Sequence, residues 1–192
     1  IPESFFRGSL ETVARGLLGQ LLCREGIVLR ITEVEAYGGP EDSASHARHG
    51  KTPRNAPMWE EGGRAYIYFC YGMHHMLNVV TGPAGVASAV LVRACEPLEG
   101  LERIRDRRGG LDGPALLAGP GRVAQALGLD RGFNHHLLYE AGGLELRAGA
   151  PPARILTGPR VGVDFAGPED RRAPLRFAAA DSRWVTRPRE LF

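Results

Sequence analysis

The 192-residue chain has one lysine, Lys51; every other Lys/Arg position is arginine. Schiff-base catalysis needs an amine of lowered pKa, usually a desolvated lysine. Lys51 stands in a polar loop between Gly50 and Pro53. Desolvation is not expected there, nor is covalent lysine chemistry. Cysteine is equally scarce. Cys23, Cys70 and Cys95 are far apart, odd in number and form no Cys-x-x-Cys pair, which argues against a zinc knuckle and a disulfide framework. Free, half-buried thiols in a reducing interior are expected. No apolar run approaches the ~18 residues that span a bilayer, and the N-terminus lacks a basic-then-apolar signal pattern. The chain begins at Ile1 rather than Met, which leaves open whether a native segment precedes it. His46, His49, His74, His75, His135 and His136 form no His-Glu-x-x-His or comparable spacing, so no metal site is expected. The Pro-Cys-x-x-Cys signature of zinc deaminases is missing too. Net charge is only +2, too little to reveal a nucleic-acid partner by its sum. Distribution says more: Arg48, Lys51 and Arg54 share one short loop, and Arg103, Arg105, Arg107 and Arg108 crowd one helix end.

What remains is an ordinary globular composition, 43% apolar and 24% charged, in a chain long enough for one sizeable core. Leu10, Val13, Ala14, Leu17, Leu18 and Leu21 have helical spacing, with Ser9 as cap. Residues 28–37 are rich in β-branched side chains and predict a strand. Residues 65–70 and 75–80 predict a hairpin joined through Tyr71, Gly72, Met73 and His74. A strand over 87–94, a helix over 97–108, and short helices over 114–118 and 122–127 follow. Strands are expected at 143–147, 153–157, 160–164 and 174–179. No repeat, low-complexity tract or long linker divides the chain. The expectation is a single α+β domain over residues 1–192, with a curved, mostly antiparallel sheet and flanking helices.

Strand alternation would place Ile31, Glu33, Glu35 and Tyr37 on one face, with the two carboxylates roughly 7 Å apart. An ionised carboxylate is costly in a core unless paired. The alternative is that both glutamates face solvent on an edge strand. A pair of acids at such a distance also suits glycosidic chemistry, one activating water and the other protonating a leaving group. The Tyr71-Gly72-Met73 tip would expose large apolar groups, as wedges that unstack DNA do; alternatively Tyr71 folds back onto the core. Gly119-Pro120-Gly121 ahead of a helix suits either an anion-binding N-terminus or a plain turn.

Several motifs occur in order: Glu33-Val-Glu-Ala-Tyr37, Gly39-Pro-Glu-Asp42, Thr52-Pro-Arg-Asn55, Tyr66-Ile-Tyr-Phe-Cys-Tyr-Gly-Met73 and Asn78. Arg93-Ala-Cys-Glu-Pro-Leu-Glu-Gly-Leu101, Gly119-Pro-Gly121, Pro174-Leu-Arg-Phe177 and Ser182-Arg-Trp-Val185 complete the set. Their order and spacing, from about residue 9 to Val185, resemble the alkyladenine (3-methyladenine) DNA glycosylase family. The resemblance implies an enzyme that flips alkylated or deaminated purines from duplex DNA and hydrolyses the N-glycosidic bond without a cofactor. It implies Glu35 as the base that deprotonates water, with Arg93 and the Val161 carbonyl helping to hold that water. Tyr37, His46 and Tyr68 match the walls of the base pocket, and Asn78 a side chain that clashes with the amino group of guanine. Tyr71, supported by Met73, matches the residue that intercalates from a protruding hairpin. Lys51, Arg54, Gly121 and Arg122 are assigned to the DNA backbone; many family members carry lysine at the position of Arg122. Glu33 matches no assigned role. A monomer inside the cell, acting on damaged double-stranded DNA without a membrane or an obligatory protein partner, is the corresponding expectation.

Three rivals make different predictions. A metal-dependent hydrolase would lose activity in EDTA. A non-catalytic module for distorted DNA would keep Tyr71 and the arginines but leave Glu35 without purpose. A bifunctional glycosylase-lyase would form a borohydride-trapped adduct, through Lys51.

Overall fold

The computed structural model describes residues 1–70 and 72–186. Tyr71 and residues 187–192 lie outside the described residues. The longest strands are β2 (Ile27–Tyr37) and β5 (Ala89–Glu99), which pair antiparallel along most of their length. Outward from β5 come β4 (His74–Val80) and β3 (Ala65–Cys70). The other edge of β2 is shared: β1 (Leu21–Arg24) pairs with its first part, and β8 (Arg176–Ala179) with Glu33–Glu35. β6 (Glu145–Arg147) extends from β1, and β7 (Ile155–Gly158) from β8. All these pairings are antiparallel. The fork in β2 and the bulges around Glu33 curl the sheet into a half-barrel, because an extra residue bends and twists its strand. The expected α+β architecture is therefore observed.

Amphipathic helices close the main core. α1 (Leu10–Leu17) is capped by Ser9, whose Oγ accepts from the Thr12 amide, and it buries Val13, Ala14 and Leu17. α2 (Leu101–Arg107) and α3 (Pro120–Leu127) bring Ile104, Val123, Ala124 and Leu127 to the same core. There they meet Leu29, Ile31, Val34, Val92 and Phe177. α4 (Pro168–Arg172) is a short surface turn. A smaller cluster of Ala47, Met58, Tyr66, Val80 and Ala89 packs separately, with Tyr68 against it.

Several elements differ from expectation for long-range reasons. The helix expected to reach Leu21 stops at Leu17. Gly19 has φ +87°, and a Cβ there would lie 2.1 Å from the Ala150 carbonyl oxygen, so the chain turns and Leu21 starts a strand. The helix expected from Pro97 starts at Leu101, because Pro97 and Glu99 still pair with Leu29 and Val28. The expected short helix at 114–118 is a 3-10 turn over Gly113–Leu116. Residues 160–164 are a loop rather than a strand: Gly162 has φ +74°, and the side chain of Arg160 is drawn to Asp42. Ile31 does not share a face with the glutamates. The bulge between Ile31 and Glu33 shifts the alternation, and Ile31 joins Val34 and Ala36 in the main core.

Candidate active site

The middle of β2 is flanked by β5 on one side and β8 on the other, so its side chains are enclosed. Glu33 and Glu35 are both fully buried, which removes the solvent-facing edge-strand alternative. Burial demands partners for each carboxylate. Around Glu35, the Tyr37 hydroxyl donates to Oε2 at 2.8 Å, and Arg93 Nη1 donates to the same oxygen at 3.2 Å. The Val161 amide donates to Oε1 at 2.7 Å. These donors come from β2 itself, from β5 and from the loop after β7. Only the sheet topology brings them together.

All three donors line one cavity of about 230 Å³, while Glu35 lies immediately behind them. His46, Tyr66, Tyr68 and Asn78 form other parts of its wall, and Phe165 and Pro120 contribute as well. The His46 and Tyr68 rings meet edge to face with centroids 4.4 Å apart, and His46 Nδ1 lies 3.0 Å from the Tyr66 hydroxyl. Asn78 donates its amide hydrogens to the carbonyls of Tyr66 and Met76. That fixes the amide orientation, with Oδ1 as the acceptor of the side chain. Behind Tyr37, Arg160 stacks 4.8 Å from the ring centroid and forms a two-pronged ion pair with Asp42.

The electrostatics follow from enclosure. Burial, reinforced by Glu35, pushes the Tyr37 hydroxyl well above its ordinary range. Burial likewise raises Tyr66 to about 12 and raises Tyr68 further still. Burial, with Arg54 and Arg48 adding to it, lowers His46 to about 4. Near neutral pH the cavity wall is therefore polar and aromatic, with His46 and the tyrosines uncharged. Burial opposes the charge on Arg93, but Glu35 and then Glu33 more than offset it, and the guanidinium is held above its ordinary value.

Of the expected pocket residues, Tyr37, His46, Tyr68, Asn78, Arg93 and Val161 meet at this cavity. Val161 touches Glu35 through its amide. Lys51 and Arg54 are exposed on the loop beside it, with the Arg54 guanidinium 5.8 Å from the Tyr68 ring centroid. Met73 is 69% exposed at the β3–β4 turn, whereas the residue expected to intercalate, Tyr71, lies outside the described residues. Gly121 sits in the first turn of α3 against the hairpin, where a Cβ would come within 2.9 Å of the His74 side chain. Arg122 is exposed and donates to the Ala118 carbonyl. Sequence reasoning missed Tyr66, Arg160, Phe165 and two partners of Glu33, Arg176 and Thr186. Phe165, 63% exposed at the cavity, carried no signal in a polar loop. Among the described residues, no group of three or more His, Cys, Asp or Glu side chains is placed to hold a metal ion. No helix among them is long and apolar enough to cross a membrane.

Comparison with known proteins bears on what this arrangement does. The family model for methylpurine-DNA glycosylase (MPG) matches residues 4–183. The chain belongs to the methylpurine-DNA glycosylase family. It is 59% identical over 185 residues to the Nitrosococcus oceani protein "Putative 3-methyladenine DNA glycosylase", covering 96% of this chain and 92% of that one. It is 51% identical over 191 residues to the Arabidopsis thaliana DNA-3-methyladenine glycosylase, covering 98% of this chain and 75% of that one. The chain is thus an enzyme of DNA repair, a DNA glycosylase, and the cavity beside Glu35 is its candidate active site.

Proposed function

We propose that this glycosylase acts on 3-methyladenine and related alkylated or deaminated purines, among them 7-methylguanine, hypoxanthine and ethenoadenine. It flips the damaged nucleotide from duplex DNA and hydrolyses its N-glycosidic bond with water activated by Glu35. One observation carries the reading. A fully buried carboxylate stands directly behind an aromatic cavity, and the three groups that hydrogen-bond it all line that cavity. A cavity of about 230 Å³ is small beside ligand pockets of about 300 Å³ and more, so it suits one base.

Alkylation at N3 or N7 makes a purine cationic and weakens its bond to the sugar. Tyr37 and Tyr68 favour such a cation through their ring quadrupoles, by about 0.5–2 kcal/mol per good contact. A neutral His46 adds no repulsion. As the C1′–N bond breaks, its electron pair passes to the base and positive charge gathers on the sugar. Glu35 stabilises that charge and takes a proton from the water whose oxygen bonds to C1′. Arg93 and the Val161 carbonyl hold the water, and the Asn78 side chain stands against the amino group of guanine. Free base and an abasic site are the products.

Tyr71 enters the base stack in place of the flipped nucleotide, with Met73 beside it on the β3–β4 hairpin. Lys51, Arg54, Arg122 and the backbone at Gly121 meet phosphates, so binding weakens steeply with salt. The chain works as a single domain and a monomer inside the cell, with no obligatory protein partner and no cofactor.

Single-turnover assays on duplexes carrying each lesion test this reading. Free base and an abasic strand that breaks only under alkali are expected, with no borohydride-trapped adduct. Absence of base release from every lesion would refute it, and a trapped adduct would refute the water-only mechanism.

A further inference from the structure

Glu33 is a buried ionisable group that the proposed reaction leaves unused. It lies outside the cavity wall and is saturated with donors. Oε1 accepts from Arg93 Nε at 3.1 Å, from Arg176 Nε at 2.8 Å and from the Thr186 hydroxyl at 2.5 Å. Oε2 accepts from the Thr186 amide at 2.5 Å. Arg176 Nη2 in turn donates to the carbonyl and hydroxyl of Thr186. Stability alone gives no reason for such a cluster, since well-packed apolar groups often serve a core as well as a buried ion pair.

Geometry supplies a reason. The Arg93 guanidinium donates from Nε to Glu33 and from Nη1 to Glu35. A guanidinium is planar, so anchoring Nε fixes the plane in which Nη1 meets Glu35. Arg176, registered opposite Glu35 on β8, gives Glu33 a cation of its own. Glu33 therefore does not draw Arg93 away from Glu35: two carboxylates are matched by two guanidiniums. The loop ahead of Thr186 is tied to the same strand, because the Thr32 hydroxyl donates to the Trp184 carbonyl.

We propose that Glu33, held by Arg176 and Thr186, is a positioning residue that sets Arg93 against Glu35 for base excision. The proposal rests on the reaction assigned to Glu35 above. The test compares the full chain with Glu33→Gln, Thr186→Val and Thr186→Ser, using single-turnover base release from a hypoxanthine duplex and, separately, affinity for that duplex. Glu33→Gln is expected to slow base release by about 10- to 100-fold, as small misplacements of catalytic groups do, with affinity unchanged. Thr186→Val keeps the amide donor and loses the hydroxyl; it is expected to slow base release by about 3- to 10-fold, and Thr186→Ser to restore the rate.

A wild-type rate in Glu33→Gln would overturn the proposal, as would a slower rate matched by an equal loss of affinity, or a Thr186→Val loss that Thr186→Ser does not restore. If Glu33→Gln does not fold, a Thr186→Val protein at the wild-type rate overturns it. An unmodified chain that releases no base overturns the underlying reaction and the clamp with it. A fully active chain with an indifferent Glu33 overturns the clamp alone.

Discussion

His46 offers a sharp test because its environment sets both the sign and the size of an effect. Its ring is partly enclosed between Tyr66 and Tyr68, and burial, then Arg54 and Arg48, lowers its pKa to about 4. In the unfolded chain a histidine titrates near about 6.5. As pH falls from there, the unfolded chain takes up a proton that the folded cavity refuses. Stability that is full above the unfolded value is therefore lost on acidification, and the loss levels off below the folded value. It amounts to about 2 kcal/mol at pH 5 and about 3 kcal/mol at pH 4. In a domain of this length, the pH 5 figure lowers Tm by about 4–8 °C. Other groups titrate in the same window, so the measurement is a difference: Tm against pH for the wild type and for His46→Asn, by circular dichroism or calorimetry. The wild-type curve should fall more steeply between pH 6.5 and pH 4 and run parallel outside that range. Parallel curves throughout would refute the assigned enclosure of His46.

Two substitutions probe other parts of the site. Tyr37→Phe keeps the ring between cavity and Arg160 but removes the 2.8 Å bond to Glu35. A hydrogen bond to a charged group of this kind contributes about 1.5–3 kcal/mol, so urea unfolding should show a loss in that range with affinity for the damaged duplex retained. Gly121→Ala places a methyl 2.9 Å from the His74 side chain. Separating α3 from the hairpin should cost about 1–3 kcal/mol and weaken duplex binding, read by denaturation and by fluorescence anisotropy; unchanged values would show that the contact yields freely.

Some of this architecture is legible in the sequence because it is local. The β-branched run at 28–37 and the alternating pair at 65–70 and 75–80 form the strands they suggest. Where pairing is distant, local patterns mislead. Val161 and Val163 alternate like a strand, but Arg160 is held by Asp42 across 118 residues of chain. Leu18 and Leu21 keep helical spacing, yet the close approach of Gly19 to Ala150 ends the helix before them. The site divides in the same way. Glu33 and Glu35 emerge from one strand as equivalents, and the ordered family motifs single out Glu35, Tyr37 and Arg93. The partners that make Glu33 different, Arg176 and Thr186, are 143 and 153 residues away in sequence and become neighbours through the β2–β8 pairing. Tyr66 alternates with neighbours that read as plain core, so its contact with His46 emerges only with the loop that carries His46.

Central to the account is the chemical role of the Glu35 carboxylate, and Glu35→Gln tests it most directly. The amide can satisfy the Val161 N–H or Arg93 and Tyr37, but not all three as the carboxylate does. Arg93 keeps Glu33 at 3.1 Å, so the protein should lose about 1–3 kcal/mol of stability and remain folded. Measured by single-turnover release of hypoxanthine or 3-methyladenine, the rate should fall about 10²–10⁴-fold, the range for loss of a general base, with binding to the damaged duplex preserved. A folded Glu35→Gln protein that releases base at the wild-type rate would contradict the account.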